Sequence, residues 1–263
     1  MAKTSGKKKR ADLLLYEQGE AASQELAARL IMAGRVFIVS EAETESSLRR
    51  VEKPGDLLPV SVRLEYRDKN PYVSRGAYKL LTALEYFKID VSGLVALDAG
   101  ASTGGFTDCL LRHGASRIYA VDVGKNQLHE KLRADSRVIS LEGVNLRLHP
   151  AGSDLAASLL PEKVDLVVAD VSFISLKEIL PACLSYLKPG GRIIALIKPQ
   201  FELGYDNTVK GVVRDEKLRD QAVEDVLAFA KDELGLSLQG VVPAAIKGPK
   251  GNQEYLAVWG STV

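Results

Sequence analysis

The sequence predicts an α/β fold built on a mostly parallel seven-stranded sheet, with a small α+β domain before it. Two observations support this prediction. From residue 72 onward, short apolar runs alternate with amphipathic helical patterns, as in parallel strands joined by helices. The chain then closes with two apolar runs separated by a short loop containing glycine and proline, a pattern typical of an antiparallel pair. We therefore expect the last strand to be antiparallel.

Length and composition fit this architecture and exclude several classes of protein. The chain has 263 residues, of which 46% are hydrophobic and 26% charged, as expected for a large and a small folded domain. No apolar stretch approaches the ~18 residues of a membrane span, and residues 13–15 are too short an apolar region for a signal peptide. We expect a cytoplasmic protein without stable membrane association. Cys109 and Cys183 indicate neither a disulfide framework nor a metal pair.

Residues 1–66 contain the pattern of two short helices followed by strands. A helix over residues 12–18 would end at Gly19, which suits a left-handed C-cap. A second helix over residues 23–33 would begin at Ser23, a good N-cap. At helical spacing, one face of this second helix is apolar and consists of Leu26, Leu30 and Ala33.

Short strands and a polar linker are predicted to follow these helices. Strands are expected over residues 36–39 and 60–64, with a turn at residues 54–56 between them. The polar segment 67–71 ends in proline, which restricts the residue before it, so we place the interdomain linker there. The second domain is therefore predicted to cover residues 72–263.

The second domain alternates predicted strands and helices. Strands are expected at seven apolar runs: 95–98, 117–121, 138–141, 165–169, 192–197, 238–246 and 254–260. Helices are predicted between them, for example over residues 106–113 and 176–187. Ligands of open parallel sheets bind beyond the carboxyl ends of the strands, so residues at those ends are the first candidates for a functional site.

A glycine-rich loop after the first of these strands is the clearest candidate site. Residues 95–106 pass from an apolar run into a helix through three glycines, Gly100, Gly104 and Gly105. Glycine allows the backbone to approach a ligand closely. Asp98 ends the strand, and Asp122, which is 24 residues further on, ends the next strand. An acid at that second position suits hydrogen bonds to ribose hydroxyls.

The residues of this loop favour S-adenosylmethionine (SAM) as its ligand. A dinucleotide fingerprint requires G-x-G-x-x-G, but Ser102 stands where the second glycine should be, and no Gly-Lys-Ser/Thr of a Walker loop follows. Asp98 would oppose a pyrophosphate but attract the positive sulfonium or amino group of SAM. The alternative is a purely structural turn between strand and helix.

Four charged residues lie where an open sheet would bring them toward this ligand. Lys79 precedes the sheet, Asp170 and Lys198 end strands, and Glu254 opens the last strand. A single lysine or acid at a strand end is commonly a solvated cap. Two lysines and two acids at the ligand-binding edge together predict a catalytic cluster instead.

Several segments together resemble one protein family. They are residues 74–80, 98–108, 198–202, 210–215 and 248–254, with the sequences SRGAYKL, DAGASTGGFTD, KPQFE, KGVVRD and GPKGNQE. These segments look like those of the TlyA family. That family joins a small RNA-binding domain, of the type first seen in a small-subunit ribosomal protein, to an FtsJ-like methyltransferase domain. The resemblance covers nearly the whole chain.

The resemblance implies a Rossmann-like, SAM-dependent methyltransferase fold over residues 72–263 and an RNA-binding domain with a basic tail over residues 1–66. It also implies 2′-O-methylation of cytidine in ribosomal RNA, 16S, 23S or both, with ribosomal RNA or ribosomal subunits as partners. The FtsJ-like catalytic tetrad falls on Lys79, Asp170, Lys198 and Glu254. Lys198 would either orient or deprotonate the 2′-hydroxyl, and the sequence leaves both roles open.

The same resemblance implies residues that contact cofactor and RNA. Eight positions are expected to contact SAM: Asp98, Gly100, Ser102, Gly104, Gly105, Phe106, Asp122 and Asn145. Six basic residues are expected to contact RNA: Lys8, Lys9, Arg10, Arg29, Arg35 and Arg75. Residues 1–10 have five basic side chains and no acid, which suits either a phosphate contact or a solvated tail. Gln24 replaces an arginine common in the family, so Arg29 or Arg35 would have to supply that contact.

Other functions match the sequence less well. A base methyltransferase would need a Pro-Cys loop or an Asn/Asp-Pro-Pro-aromatic motif, and residues 170–173 lack both prolines. A small-molecule methyltransferase would leave the first domain unexplained. The family also includes proteins called haemolysins, so a membrane-active protein is one alternative. A non-catalytic RNA-binding assembly factor is the other. No metal is expected, because no ligand spacing links the histidines His113, His129 and His149.

Overall fold

The computed structural model describes residues 7–39, 49–66, 71–151, 160–204 and 207–261. The chain forms two compact units, Met1–Pro71 and Tyr72–Val263. Residues 67–70 of the predicted linker lie outside the described residues. Each unit has its own hydrophobic core.

In its described residues, the N-terminal unit contains two helices and two small antiparallel sheets. The helices are α1 (Ala11–Glu17) and α2 (Gln24–Met32). The first sheet pairs β1 (Lys8–Arg10) with β4 (Leu57–Pro59). The second has the order β3 (Arg49–Arg50), β2 (Val36–Val39) and β5 (Arg63–Tyr66). Ser23 caps α2 as predicted, because its hydroxyl accepts a hydrogen bond from the Leu26 N–H at 3.1 Å.

The structure corrects three predictions for this unit. The basic segment is not simply a solvated tail, because Lys8–Arg10 forms a strand. The strand predicted over residues 60–64 begins only at Arg63, since residues 60 and 61 form a turn after Pro59. The buried face of α2 consists of Ala27 and Ile31, whereas Leu26 is 37% exposed. Packing against α1 therefore rotates the helix relative to the face that apolar spacing predicted.

The second unit is a seven-stranded sheet with helices on both faces. Its strands are β6 (Val95–Ala99), β7 (Arg117–Asp122), β8 (Val138–Glu142), β9 (Val164–Ala169), β10 (Leu187–Ile197), β11 (Ser237–Pro243) and β12 (Tyr255–Gly260). Its described helices are α3 (Ala77–Tyr86), α4 (Gly105–Arg112), α5 (Glu130–Arg133), α6 (Leu176–Tyr186), α7 (Pro199–Glu202) and α8 (Glu216–Asp232).

The strand order is β11-β12-β10-β9-β6-β7-β8. Strand β12 is antiparallel to both of its neighbours, and the other pairs are parallel. The predicted mostly parallel sheet with an antiparallel last strand is therefore confirmed. The bounds differ in places: β10 begins at Leu187, β11 ends at Pro243, and Glu254 lies just before β12.

Each face of the sheet has an apolar core. Helices α3 and α4 cover one face, and α6 and α8 cover the other, where Trp259 and Tyr119 are buried. Burial on both faces explains why these strands are continuous apolar runs in the sequence. Cys109 and Cys183 are both free and buried, one in each core. The polar residues that follow the strands are left at one edge of the sheet.

Candidate functional site

Two adjoining clefts lie at the carboxyl ends of β6, β7 and β9. The larger has a volume of about 450 Å³, and the smaller, which extends toward α3 and the end of β10, has a volume of about 200 Å³. Four residues line both clefts: Gly100, Ser102, Asp170 and Ser172. The two clefts therefore form one continuous site at the edge where the sequence predicted ligand binding.

The loop after β6 follows a path that requires glycine. Gly100 has a φ of +83°, and a Cβ on it would lie 3.0 Å from the carbonyl oxygen of Asp170. A Cβ on Gly105 would lie 2.3 Å from Ser74 Oγ and 3.0 Å from the Ala77 nitrogen. The loop is thus packed tightly between the end of β9 and the segment that begins α3.

Gly104 and Phe106 differ in position from the other predicted cofactor residues. Gly104 has a φ of +94°, and a Cβ on it would lie 2.2 Å from Leu132 Cδ1, so its role in the structure is close packing against α5. Gly104 does not line either cleft. Phe106 lines the smaller cleft, although its side chain belongs to the core.

Asp98 is fully buried at the smaller cleft. Thr107 Oγ1 donates to Asp98 Oδ2 at 2.6 Å, whereas Oδ1 has no hydrogen-bond partner among the described residues. Burial, partly opposed by the Thr107 hydrogen bond, raises the pKa of Asp98 to about 7. A buried carboxylate oxygen without a partner costs free energy unless a ligand satisfies it. Asp98 therefore fits a cationic group in the cleft.

Asp122 and Asn145, two of the residues predicted to contact SAM, line the larger cleft. Asp122 accepts backbone hydrogen bonds on both oxygens, from the Ser102 N–H at 2.8 Å and the Gly124 N–H at 2.7 Å. These bonds fasten the loop after β6 to the end of β7. Asn145 follows β8, and its Oδ1 accepts a hydrogen bond from the Arg147 N–H at 3.2 Å.

A buried ion pair joins α3 to the start of β12. Lys79 Nζ donates to Glu254 Oε2 at 2.6 Å, and the two residues are 7% and 0% exposed. Gln200 Nε2 donates to the other carboxylate oxygen of Glu254 at 3.2 Å. Each carboxylate oxygen therefore has a donor, which a buried charge requires. Lys79 lines the smaller cleft.

A second ion pair joins the ends of β9 and β10. Lys198 Nζ lies 2.6 Å from Asp170 Oδ1 and donates to Ser172 Oγ at 2.8 Å. Its ammonium also lies 5.8 Å from the centre of the Phe201 ring, a favourable cation–π distance. Asp170 and Lys198 both line the smaller cleft. The structure thus brings three residues of the predicted tetrad, Lys79, Asp170 and Lys198, to one cleft, and the fourth, Glu254, is buried behind Lys79 as its ion-pair partner.

Comparison with known proteins places this site in a family. Residues 72–261, nearly all of the second unit, match the family described as FtsJ-like methyltransferases. The chain belongs to the FtsJ-like methyltransferase family. The sheet order and the site described above are consistent with this membership, and the fold is that of SAM-dependent methyltransferases.

Relatives of this methyltransferase confirm the resemblance to TlyA. It is 42% identical over 247 residues to the 16S/23S rRNA (cytidine-2′-O)-methyltransferase TlyA of Mycobacterium tuberculosis, covering 94% of this chain and 87% of TlyA. It is 38% identical over 250 residues to Hemolysin A of Brachyspira hyodysenteriae, covering 94% and 98%. A solved structure titled as a proposed hemolysin of Streptococcus thermophilus matches with a TM-score of 0.71 and 41% identity, covering 98% and 90%.

Two of these similar proteins carry the name hemolysin, so a membrane-spanning helix is the feature to compare. Among the described residues, no helix of this methyltransferase combines the length and the apolar character needed to cross a bilayer.

Gly248 leaves room for the Glu254 carboxylate of the methyltransferase. Its φ of −65° suits any residue, but a Cβ on it would lie 2.1 Å from Glu254 Oε1. We expect Gly248→Ala to displace Glu254 from Lys79 and to lower kcat about tenfold or more, as when one stabilising donor is misplaced. The affinity for SAM should be unchanged, because neither cleft is lined by Gly248. Calorimetric SAM titration and single-turnover assays measure the two quantities.

A matched control for this variant is Gly55→Ala. At Gly55 a Cβ would meet its nearest neighbour, Arg10 Nη1, only at 3.8 Å, an ordinary contact. Equal turnover in both variants and the wild type would show that the position of Glu254 does not matter for catalysis.

Phe173 is a feature of the site that the sequence prediction missed. It is 91% exposed, its φ is +66°, and its ring lies 5.1 Å from that of Phe201. Phe173 lines the larger cleft. An exposed phenylalanine with a left-handed backbone is unfavourable, and such a conformation is typical of functional sites. The only signal in the sequence was its position three residues after Asp170.

Glu202 holds the Phe173 loop against the segment after Lys198. Ser175 Oγ donates to Glu202 Oε2 at 2.5 Å, and the Leu176 N–H donates to Oε1 at 2.9 Å. Burial raises the pKa of Glu202. Because Glu202 lies on α7, directly after Lys198, it ties together the two segments that carry the Asp170–Lys198 pair.

Glu142 has a similar positioning role at the larger cleft. Its carboxylate accepts backbone N–H groups of three successive residues, Asn126, Gln127 and Leu128, at 2.8 to 3.0 Å. These bonds lower the pKa of Glu142. They also fix the loop after β7, whose Gln127 lines the cleft.

The residues predicted to contact RNA lie in different environments. In the N-terminal unit, Lys9 pairs with Glu17 at 2.7 Å and Arg10 pairs with Asp12 at 2.6 Å. Three others, Lys8, Arg29 and Arg35, are exposed on the same unit. Arg75 is exposed in the second unit, four residues before Lys79. The Lys9–Glu17 pair is partly exposed and therefore weak, so Lys9 can exchange its partner for a phosphate at little cost. Asp12 is buried, so Arg10 is held by its partner more firmly.

Proposed function

We propose that this methyltransferase transfers a methyl group from SAM to the 2′-hydroxyl of cytidine in ribosomal RNA. The observation that supports this most directly is that Lys79, Asp170 and Lys198, from two lysine–carboxylate pairs, line a cleft that adjoins a second, larger cleft. The relative from M. tuberculosis, 42% identical over most of the chain, is named for this activity on 16S and 23S rRNA. Such a substrate would place the activity in the cytoplasm.

The residues of the two clefts fit SAM. Bound SAM supplies a methyl group already activated on a sulfonium. The unpartnered Oδ1 of buried Asp98 fits a cationic group of the cofactor, either its amino group or its sulfonium. Asp122, at the end of β7, would bind ribose hydroxyls, and Gly100 allows the backbone to lie against the ligand. Asn145, which also lines the larger cleft, would lie near the adenine base of SAM.

Lys198 would orient the substrate hydroxyl. An ammonium has three N–H donors. One on Lys198 donates to Ser172 Oγ, and the ammonium also forms an ion pair with Asp170 Oδ1 that is not a hydrogen bond. A remaining N–H can donate to a 2′-oxygen in the smaller cleft and fix its lone pair for in-line attack. Orientation of this kind can contribute ~7–11 kcal/mol to the rate. The hydroxyl proton would pass to the Asp170–Lys198 pair, whose carboxylate is the adjacent acceptor.

The Lys79–Glu254 pair would stabilise negative charge on the substrate oxygen. Lys79 places a second ammonium at the wall of the smaller cleft, where it stabilises an oxygen that is losing its proton. Glu254, held by Lys79 and Gln200, keeps that ammonium in place. Because both groups are buried, the pair is fixed before substrate binds.

The RNA would be held by both units. Exposed Lys8, Arg29 and Arg35 in the N-terminal unit would contact phosphates, and exposed Arg75 lies in the segment that leads to Lys79. Such contacts fix the position of the RNA without reading its sequence.

The experiment for this proposal is methyl transfer from labelled SAM to ribosomal RNA from cells that lack this enzyme. The RNA is then digested to nucleosides and separated by mass spectrometry. We expect the label in 2′-O-methylcytidine. Label in 5-methylcytidine or in an N-methylated base would contradict the proposal, and labelled protein or small molecules without labelled RNA would contradict it as well.

Phe173 is expected to stack on the base of the target nucleotide. Stacking on an aromatic side chain contributes ~1–3 kcal/mol per base, so Phe173→Ala should lower kcat/KM about 5- to 150-fold. The affinity for SAM should change little, since Phe173 is 91% exposed and so buries little of its side chain against the larger cleft. Phe173→Tyr, which preserves the ring, serves as control and should retain most activity. Equal kcat/KM in the alanine variant and the wild type would exclude a stacking role.

A further inference from the structure

Two surface loops of the second unit share an unusual feature. Lys210 and Lys250 both have left-handed backbones, with φ of +54° and +65°, and each is followed by a left-handed glycine, Gly211 or Gly251. A left-handed conformation disfavours any residue with a Cβ and normally selects glycine or asparagine. Strained residues of this kind persist where the surrounding structure imposes them, and they concentrate at functional sites.

The two loops are fastened to each other. Asn252 is buried, its Oδ1 accepts a hydrogen bond from the Val213 N–H at 3.1 Å, and its Nδ2 donates to the Gly211 carbonyl at 2.8 Å. Val209 and Val212 exchange backbone hydrogen bonds at 2.9 and 3.1 Å and close the tight turn at Lys210 and Gly211. The two lysines are therefore held at a fixed place on the surface.

The ammonium of Lys250 lies against the turn that contains Lys210. A Cβ on Gly211 would lie only 3.1 Å from Lys250 Nζ. Both lysines are exposed, and so are Lys247 and Arg214 on the same loops. Among the described residues, none of these four cations forms an ion pair, although Asp215 and Glu216 follow at the start of α8. We define these four residues as the lysine-loop patch.

The lysine-loop patch is close to the catalytic cluster. The loop of Lys250 begins at Gly248, which abuts the Glu254 carboxylate, and Lys250 stands only four positions before Glu254. At ~3.3–3.6 Å per residue, four positions along the chain span at most about 14 Å. A nucleic acid strand has one phosphate per ~3.4 Å of helix axis, so this span corresponds to about four nucleotides.

We propose that the lysine-loop patch binds the RNA backbone, at phosphates within about four nucleotides of the methylated ribose. This inference rests on the proposed function, because it takes the polyanion to be the RNA whose ribose enters the smaller cleft. Phosphates are the ligands that suit unpaired, exposed lysine and arginine side chains, and such contacts position the strand without specifying its sequence. Lys210 and Lys250 would then occupy turns better suited to glycine because their charge is needed there.

The test replaces both lysines by the residue that their backbone favours. In the full chain, Lys210→Gly combined with Lys250→Gly removes two charges and relieves the left-handed strain. Binding of a 5′-fluorescent oligocytidylate RNA of about 12 nucleotides is measured between about 50 and 200 mM salt. Each phosphate contact contributes about 0.7 to the slope of log K against log salt for a single strand, so the slope should fall by about 1.4. The Tm should stay the same or rise.

A matched control removes the same charge from the opposite edge of the sheet. Lys163→Ala combined with Lys231→Ala changes two exposed lysines, one just before β9 and one in the last turn of α8. We expect the salt slope of this control to equal that of the wild type. An unchanged slope in the glycine variant would overturn the inference, and so would an equal fall in the control, because the effect would then be one of net charge.

Assays of the same variants distinguish a failure of this inference from a failure of the proposed function. With ribosomal RNA, the glycine variant should still form 2′-O-methylcytidine. Its KM should be raised and its kcat should be within about twofold of the wild type, because the phosphate contacts are equally strong in the ground state and in the transition state. If the wild type forms this nucleoside and the slope is unchanged, the patch is wrong and the proposed function stands. If the slope falls and the wild type forms no such nucleoside, the patch binds RNA and the proposed function is wrong.

Discussion

Lys198→Ala is expected to lower the rate of methyl transfer by about 10²–10³-fold or more, the cost of losing one preorganised donor at a reacting oxygen. The variant loses the N–H that would orient the 2′-oxygen, and it leaves Asp170 without its partner at 2.6 Å. The affinity for SAM should remain near that of the wild type, because the partners of Lys198 are Asp170 and Ser172 and not the residues assigned to the cofactor, Asp98 and Asp122. Single-turnover assays and calorimetric SAM titrations separate the two effects.

The chain offers a close control at the start of the strand that leads to Lys198. Lys188 pairs with Asp165 at 2.7 Å near the start of β10, far from the clefts, and its side chain is 42% exposed. Lys188→Ala should leave methyl transfer near the wild-type rate, because exposed ion pairs contribute little. Wild-type turnover in Lys198→Ala would refute the assignment of Lys198. A loss of SAM binding equal to the loss of turnover would show that Lys198 belongs to the cofactor site instead.

Asp98→Asn is expected to weaken SAM binding by about tenfold or more. The substitution keeps the shape of the side chain but removes the charge that would face a cationic group of the cofactor, and hydrogen bonds to charged groups contribute ~1.5–3 kcal/mol. The pH dependence should disappear with the charge. In the wild type the pKa of Asp98 is about 7, so below pH 7 the carboxyl must lose a proton before it binds a cation.

The sign of this dependence follows from linkage. The affinity of the wild type for SAM should fall by about tenfold per unit as pH decreases below 7 and level off above it. Stability without ligand should change in the opposite direction. Because the pKa is raised from 3.8, the folded state binds the extra proton between about pH 4 and 7, and stability is lost as pH rises through this window.

Calorimetric titrations and Tm values of both proteins across this range test the sign. Asp98→Asn should show neither slope from this residue. A SAM affinity that is independent of pH in the wild type, or equally dependent in the variant, would mean that Asp98 does not contact a cationic group.

The sheet could be predicted from sequence because its strands are buried on both faces. Apolar runs such as Val164–Ala169 indicate strands that are covered on both faces. The short loop before β12 indicated the antiparallel pair. The N-terminal unit was harder to predict. The side chains of Lys8–Arg10 do not favour a strand, and the pairing with β4 imposes it. The buried face of α2 likewise depends on contact with α1, which leaves Leu26 exposed.

The site residues also fall into those that the sequence could predict and those that it could not. Asp98, Asp170 and Lys198 could be found because a charged residue at or directly after the end of an apolar strand indicates the carboxyl edge of a parallel sheet. Glu202 and Glu142 could not, because their partners lie 14 to 27 residues away and the contacts exist only in the fold. Phe173 had no periodicity to indicate it.

The most direct test of the account concerns the acceptor atom. After the methylated cytidine has been mapped, the same RNA is made with a single 2′-deoxycytidine at that position, which removes one oxygen and leaves the base unchanged. The two Lys–carboxylate pairs predict that methyl transfer to this RNA is abolished while RNA binding and SAM binding persist. Methyl transfer at the wild-type rate to the deoxy RNA would place the acceptor on the base and contradict the account.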